Sequence, residues 1–478
     1  MTKNELPSPP AAEARQELPR NVLFLRLKHA IGLDRAIAFT VLARGWSTMA
    51  GVVTVLLIAR FLTLAEQGYY YTFASLVALQ IVFELGFSFV ILQLAAHERA
   101  SLHFYQDGSI AGDSVAHGRL ASVLQKAVRW YAIGAVLMAA GLLPAGIYFF
   151  SAHRQPGPGV SWQLPWFAVV LATMFTFQID PVFSFLEGCG RISQVARMRF
   201  TQAAAGSLMA WAALRLHHGL FAPALAISGQ ALAGGYFLFS ERHLLLPLLR
   251  HNTSGCNLSW RHEIWPFQWR IAVSWLCGYF IFQIFNPVLF AARGATEAGR
   301  MGMSLSIAAA LSAVAVAWMN TKASPFGTLI ARSEYVALDK LFFRTLTQST
   351  SILTAAAAAT LVGLYFVTRH FPHLALRVLP PPAFGMLMVT IIFNHVVFSE
   401  AIYLRAHKRE PFLPVSITVG ILTACSTVVL ARSWGASGVT VGYFCTSGIV
   451  GLALATYVFI TKRMEWHGSS PAQRQGAL

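Results

Sequence analysis

Long apolar runs separated by short polar breaks dominate this chain. The first, 36–61, is interrupted by a charge only at Arg44, and the second, 68–94, only at Glu84. A helix of about 20 apolar residues matches the roughly 30 Å hydrocarbon core of a bilayer. With only Thr63 to Gln67 between them, the two runs are expected to form an antiparallel helical pair. Further runs of similar length follow at about 130–150, 163–186, 195–214, 220–239, 265–292, 298–318, 346–367, 383–404, 412–430 and 439–460. The pattern predicts an all-α polytopic membrane protein with about twelve transmembrane helices.

The polar breaks divide the chain. Residues 1–34 read as a Pro-rich cytoplasmic tail that ends in a short interfacial helix over 21–34, where Leu, Phe and Ile alternate with Arg26, Lys28 and His29. Residues 35–240 hold six runs. The longest polar stretch follows, 241–263, and is expected to be a cytoplasmic linker between two lobes. Residues 264–463 hold the other six runs, and 464–478 form a second cytoplasmic tail. Two lobes are also suggested by an internal repeat. Glu66-Gln67-Gly68 precedes run two, and Glu297-Ala298-Gly299 precedes run eight, 231 residues later. At the same offset, Ser75 to Ala78 falls on Ser306 to Ala309. Parallel repeats of six spans around a central cavity are a common transporter plan.

Composition agrees. The 478 residues are 56% hydrophobic and 12% charged, against about 25% charged for a soluble domain. The net charge of +17 comes from Lys and Arg scattered between apolar runs, so it points to membrane orientation and anionic lipids, not to nucleic acid. With both termini on the cytoplasmic side, the outside loops hold only Arg60, Arg154, Arg215, Arg293, Arg300, Arg369, Arg377 and Arg432. That asymmetry obeys the positive-inside rule. The outside loops are short and leave little room for an extramembrane catalytic domain. No Gly-rich phosphate loop, HExxH or GxSxG occurs. The five cysteines lack CxxC spacing and the histidines lack ligand spacing, so no metal or other cofactor is expected.

Chemistry is expected where charge lies deep. Arg44 falls roughly 12 Å along its helix from the cytoplasmic end, and Glu84, Asp180, Arg270, Asn394, His395 and Glu400 fall in the middle or inner parts of their spans. Intramembrane ionisable groups usually face a bundle interior or a wet cavity. One reading is a water-filled vestibule open to the cytoplasm. The other is structural: Arg44 and Glu84 pin two helices as a salt bridge, and Arg270 snorkels to the interface. Arginine suits a phosphate through its planar fork of donors. Glu84 and Asp180 suit coupling through H+ or Na+, or a change of partners during transport. Arg60, Glu187, Arg191, Arg293 and Lys322, near the span ends, are gate candidates. Pro181, Pro266, Pro287 and Pro325 lie in or beside spans and are expected to bend them or to mark their ends.

Several short stretches carry a family resemblance. They include Ile58 to Leu62 with Glu66 to Phe73, Phe83-Glu84-Leu85-Gly86, Leu186 to Arg191, Ala298-Gly299 with Trp318 to Pro325, Arg409-Glu410-Pro411, and Trp434 to Tyr443. Over residues 35–463 the chain resembles the polysaccharide-export, Wzx-type branch of the multidrug/oligosaccharidyl-lipid/polysaccharide (MOP) flippase superfamily. The resemblance implies two six-helix lobes forming a V around a cationic cavity, a fold shared with MATE-type transporters. It implies no enzyme activity but translocation of an undecaprenyl-pyrophosphate-linked oligosaccharide across the bacterial inner membrane, for surface polysaccharides such as O-antigen. Polysaccharide assembly proteins are then possible partners, and Arg44, Glu84, Asp180 and Arg270 match the family's cavity charges by span and depth. A cation-coupled drug exporter of the same superfamily is the nearest alternative. A polymerase or ligase of lipid-linked sugars, or a non-transporting scaffold, is further away.

Overall fold

The computed structural model describes residues 35–105, 110–153, 159–252, 259, 264–407 and 409–468. The tail expected at 1–34, with the interfacial helix over 21–34, lies outside the described residues, as do residues 469–478 of the tail expected at 464–478, whose residues 464–468 instead continue the last helix. The first crossing is α1 (Arg35–Phe61), followed by α2 (Leu64–Val77). Thr63 between them is extended and caps α2: its hydroxyl accepts the Glu66 N–H, and the Glu66 carboxylate accepts the Thr63 N–H at 2.8 Å. This reciprocal pair satisfies two orphan donors of the helix start and is worth about 1 kcal/mol.

The second apolar run is not one straight helix. After a 3-10 turn at Ala78–Gln80, α3 (Ile81–Glu84) stops at Leu85 and Gly86, both left-handed, and α4 (Phe87–Arg99) leaves at an angle of 45°. Glu84 is therefore the last residue before a break. The loop expected after this run contains a small antiparallel hairpin, β1 (Leu102–Phe104) with β2 (Ile110–Gly112). Then come α5 (Ser114–Ala152), α6 (Gln163–Gly188), α7 (Ile192–Arg215) and α8 (Ala222–Ser240). Pro144 in α5 and Pro181 in α6 do not end their helices, which spans tolerate when neighbours satisfy the freed groups.

The start of the expected linker is ordered. It forms α9 (Arg242–Arg250), which buries Leu244, Leu245 and Leu248. The Gln125 amide of α5 donates to the carbonyls of Leu248 (3.1 Å) and His251 (2.9 Å), closing the helix end. A helix replaces the polar loop because leucines recur here at helical spacing and give the segment an apolar face. Next are α10 (Trp265–Phe282) and α11 (Phe285–Arg293), bent by 43°. Pro287 sits in the first turn of α11, where a missing N–H leaves nothing unpaired. The chain continues through α12 (Ala295–Asn320), α13 (Ala323–Ala331), α14 (Tyr335–His370), α15 (Pro372–Ala375) and α16 (Pro381–Ala406). The last elements are α17 (Leu413–Tyr443), a π-helix at Phe444–Val450 and α18 (Gly451–Gly468).

Element α17 contains a reversal at Gly435, whose φ of 59° and ψ of −145° are not helical. The chain folds back there, because Gly438 packs on Leu430, Gly442 on Ser426, and Thr446 hydrogen-bonds Thr423 at 3.0 Å. Eight described helices are long and apolar enough to cross a membrane, or ten with each bent pair taken as one span. The reversal splits the 55-residue span 413–467, and α7 adds a crossing of similar length that carries Arg197 and Arg199. Twelve crossings result, as the hydropathy pattern predicts. Leu56, Leu137, Leu232, Val362 and Val429 are more than half exposed on these helices, which suits contact with lipid.

Elements α1 to α8 pack mainly on one another, as do α10 to α18, and the two sets meet chiefly where α2 crosses α12. The repeated turns come together at this crossing. A Cβ on Gly68 would overlap the Ala295 carbonyl, and one on Gly299 would come within 2.9 Å of the Gly68 nitrogen. Only glycine permits that approach of backbones. The buried Gln67 amide donates to the carbonyls of Gly299 and Arg377, both at 2.9 Å. In return Arg377 donates to Gln67 Oε1 (3.1 Å) and to the Leu62 carbonyl (2.7 Å). Deeper in, Asn286 donates to Ser75 Oγ at 3.0 Å. These bonds join the two halves at the end of the molecule opposite Arg35 and Gly468.

A Gly68→Val change should separate α2 from α12. In a cysteine-free background, a Leu62→Cys probe at this buried position should then react with a hydrophilic maleimide at least tenfold faster. Equal labelling with and without the Gly68→Val change would show that the crossing is not what shields this end.

Candidate functional site

Breaks and polar positions in the first half of the chain enclose a cavity of about 460 Å³. The element α1 contributes Ser47, and the 3-10 turn contributes Gln80. From α6 come Thr173, Thr176 and Asp180, from α7 Arg199 and Gln202, and from α8 Gln230. The remaining lining is Val77, Ala203 and Ile227, with no aromatic side chain. Hydrogen bonds hold part of this wall. The hydroxyls of Thr173 and Thr176 donate to carbonyls of their own helix, which leaves the oxygens able to accept. The Gln202 amide donates to the Gln230 carbonyl at 3.2 Å. Arg199 reaches Glu187 through Nε at 3.1 Å, with half of its side chain exposed.

A second cavity of about 520 Å³ lies between α2 and the second half of the chain. Its wall is mostly apolar: Tyr71, Phe282, Leu305, Val316, Ile391 and Phe398 line it, with Ser75, Asn286, Asn394 and His395 among its polar exceptions. Asn394 accepts from Ser447 Oγ (2.9 Å) in the π-helix and donates to Tyr443 OH (2.9 Å). Buried His395 shares a 2.8 Å hydrogen bond with Ser349 through Nε2.

The deep charges expected from the sequence are thus distributed. Asp180 lines the first cavity, and Asn394 and His395 line the second. Glu84 lines neither. Its Oε1 accepts from Ser88 Oγ at 2.6 Å, and Tyr131 OH lies 3.4 Å away, so it holds the start of α4 to α5. Among the described residues no ion pair joins Glu84 to Arg44, which is exposed on α1 one turn before Ser47. Glu400 is buried and accepts from Thr456 Oγ1 at 2.9 Å, outside both cavities. The side chain of Arg270 lies outside the described residues.

The gate candidates separate by end. Glu187 pairs with Arg199 and Arg191 with Glu241 (3.8 Å), on the same side of the molecule as Arg35 and Gly468. At the other end Arg293 donates to the carbonyls of Arg432 (2.5 Å) and Ser433 (2.8 Å), while Glu297 accepts the Ala436 N–H at 3.1 Å. Both close the Gly435 reversal. Arg60 is exposed beside the Phe61 ring, and Lys322 sits at the α12–α13 junction. Sequence reasoning missed Arg199, Gln202 and Gln230 in the first cavity and Gln67 and Arg377 at the crossing. The available signal was the (i, i+3) pair Arg199 and Gln202 inside a run read as a span.

No family model and no curated protein sequence matches the chain. Solved structures do. An inward-facing multidrug-resistance MATE family transporter of the MOP superfamily aligns over 88% of this chain and 99% of its own, at 14% identity and TM-score 0.58. The lipid II flippase MurJ, in an inward closed conformation, aligns over 90% of both chains at 13% identity and TM-score 0.53. A MOP superfamily transporter from Pyrococcus furiosus, described by a reversed polarity of its binding pocket, aligns over 91% and 96% at 13% identity and TM-score 0.53. The fold is that of MOP superfamily transporters. At such identities the likeness fixes architecture, and function has to be argued from the site.

Glu84→Ala should cost on the order of 1–3 kcal/mol, because the Ser88 and Tyr131 hydroxyls, bonded to each other at 2.7 Å, lose the carboxylate that accepts from the pair next to a helix break. Denaturation of the purified protein in micelles measures this, and a variant as stable as the parent would contradict the assigned contacts.

Proposed function

We propose that the protein is a flippase for a lipid-linked oligosaccharide, working by alternating access in the bacterial inner membrane. One observation supports this above the others: a polar cavity in one half of the molecule and a largely apolar cavity between the halves. An amphiphile with a large hydroxylated head and a long apolar tail matches both. Undecaprenyl-pyrophosphate glycans, which the sequence resemblance implies, are such molecules. On this reading residues 35–240 and 264–463 are the two lobes, and the end bearing Arg35 and Gly468 faces the cytoplasm. The α2–α12 crossing then closes the periplasmic side, and the substrate enters from the cytoplasmic leaflet.

In this mechanism Arg44 and Arg270 bind the pyrophosphate, and Asp180 and Glu84 set coupling or gating. Glu187–Arg199 and Arg191–Glu241 act at the cytoplasmic mouth, with Arg60, Arg293 and Lys322 as further gate residues. Periplasmic opening requires the Gln67–Arg377 bonds to break while new ones form on the cytoplasmic side. Translocation breaks no covalent bond, so no catalytic residue or cofactor is needed. A drug exporter is the second reading, favoured by the aromatic groups Tyr71, Phe282, Phe398 and Tyr443 in the second cavity.

Complementation of a flippase-deficient strain tests the proposal. The wild-type chain should restore a surface polysaccharide, and Arg44→Ala should reduce it at least tenfold at equal protein level in the membrane. Undiminished export by Arg44→Ala would remove that residue from the mechanism. Efflux of a cationic dye with no restored polysaccharide would favour the exporter.

A further inference from the structure

Eight of the eleven residues lining the first cavity can hydrogen-bond: Ser47, two threonines, Asp180, Arg199 and three glutamines. The charges cancel, since one carboxylate and one guanidinium face the same space. A site for an anion would carry an excess of cations, and a site for a flat aromatic drug would offer stacking partners. This cavity offers neither. Its amides and hydroxyls present both donors and acceptors, which is the complement of a ring bearing neutral hydroxyl and acetamido groups. The side-chain amides of Gln80 and Gln230 have no partner among the described residues, so they are free to receive a ligand.

Arg44 is placed to complete the site. It precedes Ser47 by three residues on α1, so the two lie on one helix face, and Arg44 is exposed. Arg44 is nearer the end where the described chain begins, and Ser47 is nearer the middle of the span. An anion held at Arg44 would have its next covalent neighbour at the polar cavity, one helical turn deeper.

We propose that the cavity between α1, α6, α7 and α8 is a subsite for the first, uncharged sugar of the glycolipid, with Arg44 at its mouth taking the pyrophosphate. Gln80, Gln202 and Gln230 read the sugar's hydroxyl and acetamido groups, and Asp180 and Arg199 fix the ring between opposite charges. This division of the head group rests on the flippase reading. It makes the glutamines specificity-determining residues and Arg44 a general anchor.

Binding to the purified full chain in nanodiscs tests it with two probes, undecaprenyl pyrophosphate and the same lipid carrying one N-acetylhexosamine. Gln80→Leu and Gln230→Leu break no described side-chain hydrogen bond and should leave folding intact, which the melting temperature checks. Each should weaken the sugar-bearing lipid about tenfold, the scale of one or two lost hydrogen bonds, and leave the bare lipid unchanged. Arg44→Gln should weaken both lipids by a similar factor. Glutamine variants that weaken both lipids equally, or neither, would overturn the subsite. So would a parent chain that binds both lipids with the same affinity. If the parent chain binds neither lipid, the flippase reading falls with it.

Discussion

The crossing of α2 and α12 is the contact on which the rest of the molecule depends. Two helices from the two halves approach until their backbones touch, which is possible because Gly68 and Gly299 have no side chains. In a bilayer, helix association relies on close packing and on satisfied polar groups more than on burial from water. The crossing supplies both. The Gln67 amide and the Arg377 guanidinium occupy carbonyls at Leu62, Gly299 and Arg377 itself, and Leu62 and Arg377 lie where intrahelical partners run out. The two glycines close the matching Glu-x-Gly turns, 231 residues apart in the chain. The equivalence is not complete: Glu66 caps its own helix, whereas Glu297 reaches the Gly435 reversal.

From that joint the two halves enclose two cavities of opposite character. The apolar one lies directly against α2 and the polar one is enclosed by the first half alone. Their polar walls depend on departures from regular helix. The 3-10 turn that presents Gln80 and the left-handed pair Leu85 and Gly86 fall in the same span, and the π-helix at 444–450 places Ser447 against Asn394. Irregular backbone at membrane depth is tolerated where it is buried or lines a cavity, and π-turns often mark functional sites.

Span number, span order and the repeated Glu-x-Gly turn were legible in the sequence, because each depends on local composition. A run of about 20 apolar residues must be a helix in lipid whatever its neighbours are. Glu84 and Asp180 stood out as costly charges, yet their surroundings did not: Ser88 and Tyr131, which bond Glu84, and Arg199, which faces the same cavity as Asp180, are ordinary residues until packing brings them near.

By itself the sequence determined the twelve crossings, the division into halves and the presence of charge at depth, for hydropathy and helix length act along the chain. Only the tertiary structure decided which charges share a space. It put Asp180 and Arg199 on the wall of one cavity, gave Glu84 to hydroxyls instead of Arg44, and brought Gly68 to Gly299 across 231 residues of chain. Rotation of a span by one residue moves a side chain about 100° around its axis. The facing of each polar group is therefore set by how all the helices pack, which no single stretch encodes.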